Sequence, residues 1–149
     1  MTDYISKLKP RFRYGAIHPR AHEDPVRNSS YQLYHVVPHD VIEISTGLGL
    51  EDYTVEKVEK AAQNYWSCVE RLAKEKVDLI IFSGAPISAM LTRPRVLELL
   101  RQTKEKTGIS ADAPLEALVA AMKHLGLTKL AVGSRWADPV RRRLLSNGG

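Results

Sequence analysis

The stretch Val77–Ser88, VDLIIFSGAPIS, limits the possible folds of this chain more than any other. Val77, Leu79, Ile80, Ile81 and Phe82 make a nearly continuous apolar run, without the alternation of a strand that has one wet face. Such a run suits a strand buried on both faces, in the middle of a parallel sheet covered by helices. Ser83, Gly84, Ala85 and Pro86 then stop it with small residues and a proline. In open α/β sheets ligands bind at the carboxyl ends of the strands, so a pocket is expected just after Phe82.

The flanking sequence repeats the pattern. Residues 1–11 read as a polar arm. Phe12–His18 (FRYGAIH) is a strand closed by Pro19. From Arg20 to Pro38 the chain is rich in Pro, Asn, Ser and His, and is expected to be a long loop with room for one helical turn. Val41–Thr46 (VIEIST) alternates, is β-branched and ends at Gly47-Leu48-Gly49-Leu50, a second strand. Thr54–Lys76 carries Val55, Val58, Ala62, Tyr65, Val69 and Leu72 at three- and four-residue spacing, which predicts one long helix capped by Thr54. After the opening stretch, a helix starts at Thr92 or Arg93, tolerates Pro94 in its first turn and stops at Gly108.

A stub of strand at Ile109–Ala111 leads to a helix over Pro114–Leu125. Asp112 is its expected cap, and Leu115, Leu118, Val119 and Met122 form its apolar face. Lys129–Ser134 (KLAVGS) reads as a further strand, and Asp138–Leu145 begins another helix. Strands alternating with helices predict an α/β fold, a parallel sheet flanked by helices. Residues 12–127 would form the α/β lobe and 128–149 a last strand–helix unit.

Composition narrows the class. With 149 residues, 44% hydrophobic and 26% charged, the chain has the length for one domain with a real core. The first residues, MTDYISKLKPRFRY, contain no apolar h-region, and no run is long enough for a membrane span. One cysteine allows no internal disulfide and fits a reducing, cytoplasmic setting. The net charge of +5 sits largely at the ends, on Lys7, Lys9, Arg11 and Arg13 and on Arg141, Arg142 and Arg143. Basic stripes interleaved with stacking aromatics are missing, so nucleic acid is not an expected partner.

The ordinary chemical signatures are incomplete. Cys68 lies on the predicted helix beside Tyr65 and Leu72, on its buried stripe, where a free cysteine behaves as a small hydrophobe. His18/His22 and His35/His39 have a four-residue gap, but Pro19 and Pro38 intervene and no carboxylate motif accompanies them; no metal is expected. Gly47-Leu48-Gly49 lacks the third glycine of a dinucleotide fingerprint, since Asp52 stands there. SGAPIS lacks the Lys-Ser/Thr ending of a phosphate-binding loop, and neither Ser83 nor Ser88 sits in a nucleophile elbow. The residues alone therefore give a pocket near Gly84 and no self-evident catalytic group.

The ordered set of strand–GLGL, strand–SGAPIS, TGISADAPLEALVAAMKHL (Thr107–Leu125) and KLAVGSRWADPVRRRL resembles the arylmalonate decarboxylase and maleate cis–trans isomerase group, within the aspartate/glutamate racemase superfamily. The resemblance spans about Arg13 to Leu145. It implies a flavodoxin-like lobe, the amino-terminal one of two pseudo-symmetric lobes with the active site between them, and makes 128–149 the start of the second. It also implies cofactor-independent chemistry on a small dicarboxylic acid through an enediolate-type intermediate. The racemases and isomerases place a cysteine from each lobe against the substrate; the decarboxylases keep only the second.

Carried over by position, Gly84 stands where the first cysteine would be, in agreement with the decarboxylase pattern. Ala85 and Pro86 replace a Thr and a Ser, so two hydroxyl donors are lost. Ser88 and Pro19 match family residues, Arg20 is placed to clamp a carboxylate, and Trp136 stands for a Tyr. The resemblance thus implies substrate binding by Pro19, Arg20, Gly84, Ala85, Ser88 and Trp136, with no cofactor and no metal. The catalytic residues stay open, as does association into a homo-oligomer. The second lobe and its cysteine are largely missing from these 149 residues, so the chain is expected to be an incomplete isomerase- or decarboxylase-like protein. The alternative is a non-catalytic α/β module that binds a small carboxylate or a protein partner.

Overall fold

The computed structural model of the protein describes residues 9–20, 28–133 and 135–146. Its centre is a four-stranded, fully parallel sheet in the order β2-β1-β3-β4, with β1 Phe12–His18, β2 Val41–Gly47, β3 Leu79–Phe82 and β4 Ser110–Asp112. The apolar run that predicted a central strand is β3, set between β1 and β4. Ile80 and Phe82 are fully buried, whereas Leu79 and Ile81, on the opposite face, are half-buried.

Helices fill the crossovers, α1 Asn28–Val36, α2 Val55–Ala62, α3 Tyr65–Lys74, α4 Ala85–Leu91 and α5 Arg93–Thr107, and two more follow the last strand, α6 Pro114–His124 and α7 Val140–Ser146. The chain moves from β1 outward to β2, then back across β1 to β3. Right-handed crossovers therefore put α2 and α3 on the face opposite α1, and α5 on the same face as α3. There α3 packs on β1 and β2 and buries Tyr65, Cys68, Val69 and Leu72. Tyr65 meets Phe82 edge-on, with ring centroids 5.3 Å apart, and its hydroxyl is 2.8 Å from that of buried Thr103 on α5.

Several expectations need correction. The segment expected as one helix over Thr54–Lys76 is two, broken at Gln63-Asn64. There the N–H groups of Gln63 and Asn64 turn back to Lys60 and Ala61, and the Asn64 amide donates to the Leu48 carbonyl at 2.9 Å. Asn64 favours this tertiary bond over a helix interior. Thr54 does cap α2, accepting from Lys57 N. The Arg20–Pro38 loop contains a nine-residue helix, α1, whose Tyr34 hydroxyl accepts the N–H of Glu43 on edge strand β2.

At the other end, Ala113 and not Asp112 precedes α6; the Asp112 carboxylate accepts the Ala113 N–H at 2.7 Å without reaching the helix. The apolar face of α6 buries no residue. The described part of KLAVGS is no strand: residues 129–133 run without regular structure and leave Leu130 and Val132 exposed. A β pattern becomes a strand only against a neighbour, and neither sheet edge pairs with this segment. Among the described residues no helix is long and apolar enough to cross a membrane.

Cys68 is buried, as its place on the apolar stripe predicts. Its thiol lies 3.5 Å from the Gly47 carbonyl and 3.7 Å from the Thr46 hydroxyl. Burial pushes the thiol pKa up, against smaller opposing effects of the Thr46 and Ser67 hydroxyls and Arg71. Alkylation by iodoacetamide at pH 8 should therefore run about a hundredfold slower in the folded chain than in urea, because reaction needs both exposure and the thiolate. Equal rates would contradict the buried placement.

Candidate functional site

The carboxyl ends of β1, β2 and β3 lie side by side, and backbone hydrogen bonds stitch their loops together. The N–H groups of Leu48 and Leu50 donate to the carbonyls of His18 and Pro19 at 2.9 and 2.7 Å. On the other side, Ser83 N–H donates to the Ile17 carbonyl at 2.9 Å. The loop after β1 is thereby held between the GLGL turn and the start of α4.

Gly84 is the tightest point. Its φ of +102° and ψ of 99° lie outside the regions open to ordinary L-residues. A Cβ there would stand 2.5 Å from Cγ of Pro19. Strand β3 can thus turn into α4 against the proline ring only because residue 84 has no side chain. Ala85, Pro86 and Ile87 follow as the first turn of α4, whose first intrahelical bond runs from Ser88 N–H to the Gly84 carbonyl. Pro86 contributes no N–H; those of Ala85 and Ile87 are the backbone donors of this turn.

The six residues implied as substrate-binding do not all converge. Pro19 and Gly84 are in contact, Pro19 is buried, and Ala85 is half-buried beside them. Arg20 is exposed, next to Pro19. Ser88 is 3% exposed, and its hydroxyl donates to the Gly84 carbonyl at 3.1 Å. Ser88 also lines a small apolar cavity with Val96, Ala113 and Val119, bordered by the two-point ion pair of Arg93 with Glu116. Trp136 is half-buried against the core, 5.4 Å from the Arg135 guanidinium. It precedes α7, which packs on α4 through buried Val140.

One pair at this end of the sheet is not legible in the sequence. His18 Nε2 lies 3.0 Å from a carboxylate oxygen of Glu43. Glu43 pairs in register with Tyr14, so Tyr14, Glu43 and His18 share one sheet face. Burial, then the Glu43 charge, pushes the Tyr14 hydroxyl up to about 12. The one sequence signal was an acidic residue inside VIEIST; its partner depends on strand register. His22 lies outside the described residues, and His35 stacks edge-on against Tyr31. Among the described residues no three His, Cys, Asp or Glu side chains cluster as metal ligands do.

A model of the arylmalonate decarboxylase family matches residues 15–147, from the middle of β1 through α7. The chain belongs to the arylmalonate decarboxylase family. Solved structures agree on the fold. A Gly-to-Cys, Cys-to-Ser double mutant of arylmalonate decarboxylase in its liganded form superposes with a TM-score of 0.78 at 20% identity. Arylmalonate decarboxylase itself gives 0.72 at 21%, and a Cys-to-Ala variant of maleate isomerase from Pseudomonas putida S16 with maleate gives 0.73 at 16%. Each match covers 91% of this chain but only 56–58% of the other, so the chain spans little more than half the length of these relatives. No curated protein matches the sequence. The lobe seen here is thus a lobe of the arylmalonate decarboxylase fold, and at its strand ends Gly84 takes the place next to Pro19.

Proposed function

We propose that this chain provides the amino-terminal lobe of a cofactor-independent isomerase- or decarboxylase-like enzyme acting on a small dicarboxylic acid through an enediolate-type intermediate. The observation that carries the reading is the Pro19–Gly84 contact, which gathers the loops of β1, β2 and β3 at one point inside the family match. Breaking the bond to a leaving carboxylate, or removing an α-proton, leaves an electron pair on the substrate that spreads onto the remaining carboxylate oxygens. Fixed donors aimed at those oxygens lower the barrier, by about 3 kcal/mol per donor in well-placed cases. In this lobe the donors are the N–H groups of Ala85 and Ile87, with Arg20 as a two-point clamp for the spectator carboxylate. The carbon must then regain a proton. Gly84 holds no thiol and Cys68 is buried behind β2, so the proton donor in this reading comes from the part of the enzyme facing the lobe.

A second reading has a specific observation behind it. With Ala85 and Pro86 in place of hydroxyl residues, and the Ser88 hydroxyl turned to the Gly84 carbonyl, the described residues at this strand end offer few side-chain donors for an oxyanion. A non-catalytic module that binds a small carboxylate, alone or as a homo-oligomer, fits the same geometry. Incubating the full-length protein with maleate, phenylmalonate and L-aspartate, followed by NMR and polarimetry, separates the two. Fumarate, phenylacetate or loss of optical activity supports the enzyme. Thermal stabilisation by a dicarboxylate with no product supports the module. A folded protein showing neither rules out both.

A further inference from the structure

We infer that Glu43 is a positioning residue, which acts through His18 to hold the Pro19–Arg20 segment in the place where it receives a carboxylate ligand. The ligand half of this inference rests on the function proposed above; the positioning half does not.

The Glu43 and His18 side chains are only 7% and 13% exposed. A carboxylate in the middle of a strand at that depth is costly unless its lost hydration is replaced. The 3.0 Å contact to Nε2 supplies a charge-assisted hydrogen bond, which requires the imidazole proton to sit on Nε2. The imidazole is fixed by this contact, and it belongs to the last residue of β1. Pro19 follows at once, with its ring against Gly84 and its carbonyl on Leu50 N–H. Two of these restraints, the backbone bonds and the ring contact, hold the segment from its flanks. The imidazole adds a tether from the sheet face behind it. Arg20, the exposed cation beside Pro19, takes its starting direction from that segment.

The test uses the whole chain and two readouts. The first is amide hydrogen exchange by NMR at Leu48 and Leu50, whose N–H groups bond to the His18 and Pro19 carbonyls. The amide of Asp78, bonded to the Arg13 carbonyl near the opposite end of the sheet, is the reference. In Glu43→Ala both loop amides should exchange at least about tenfold faster with Asp78 unchanged, because the charge-assisted bond to His18 is lost. Glu43→Gln keeps an acceptor for Nε2–H and should stay near wild type. If Glu43→Ala does not fold, His18→Phe removes the same tether while filling its volume, and the same result is expected.

The second readout is maleate titration, where Kd should rise about tenfold in the tether-free variant and little in Glu43→Gln. Unchanged exchange at Leu48 and Leu50 overturns the inference, and so does faster exchange spread equally to Asp78. Selective loosening with unaltered maleate affinity overturns its ligand half. Selective loosening in a protein whose wild type binds no maleate upholds the positioning and counts against the dicarboxylate reading instead.

Discussion

Gly84→Ala should cost the protein about 3 kcal/mol or more of unfolding free energy, read from urea denaturation. Two penalties combine. An L-residue held at φ +102° loses on the order of 1–3 kcal/mol in backbone strain. A Cβ placed 2.5 Å from Pro19 Cγ adds about 1–3 kcal/mol of overpacking, because a proline ring has little room to give. The two parts can be told apart with Pro19→Ala, which removes Cγ. In that background Gly84→Ala should cost about 1 kcal/mol less, the backbone part remaining. A single variant within about 0.5 kcal/mol of wild type would mean that the close approach is absent. The result bears on chemistry as well as stability. A thiol introduced as Gly84→Cys meets the same obstruction, so Pro19 closes this position to a cysteine side chain as well.

Leu72→Ala is the second large effect, about 3 kcal/mol, or roughly 9 °C in Tm for a chain of this size. Leu72 is fully buried where α3 packs on β1 and β2. Its Cδ1 stands 3.2 Å from where a Cβ on Gly15 would be, so the helix sits on the bare backbone of β1. Gly15→Ala should be destabilising too, since its Cβ also meets Val77 Cγ2 at 3.0 Å and the Leu79 carbonyl oxygen at 3.1 Å. In the double variant the costs should fall short of additivity, because the new methyl enters part of the space vacated by Leu72. The gain is partial, as the carbonyl oxygen stays where it is. Strict additivity would show that α3 does not rest on Gly15.

What could be read in advance followed the range of the interactions. The central strand, Cys68 on a buried stripe, Thr54 at a helix start and Gly108 at a helix end are properties of a few consecutive residues. The break at Asn64 was hidden because it comes from a bond to Leu48, sixteen residues away. KLAVGS has the local pattern of a strand but no sheet neighbour in this lobe, so it stays irregular. At the candidate site the pattern repeats. Gly84 was visible as a strand-breaker at the expected pocket, while its contact with Pro19 and the inward turn of the Ser88 hydroxyl were not.

The apolar periodicities and the small residues after Phe82 thus determine a parallel α/β lobe and the end of it where the chain turns from strand to helix at Gly84. These depend on the geometry of a helix or strand, which each segment carries alone. Whether the named residues meet there is a matter of strand register and crossover, and only the assembled sheet decides it. Register put His18 and Glu43, twenty-five positions apart, on one face of the sheet, where their side chains meet. The crossover brought Pro19 onto Gly84 and left that position open to glycine alone.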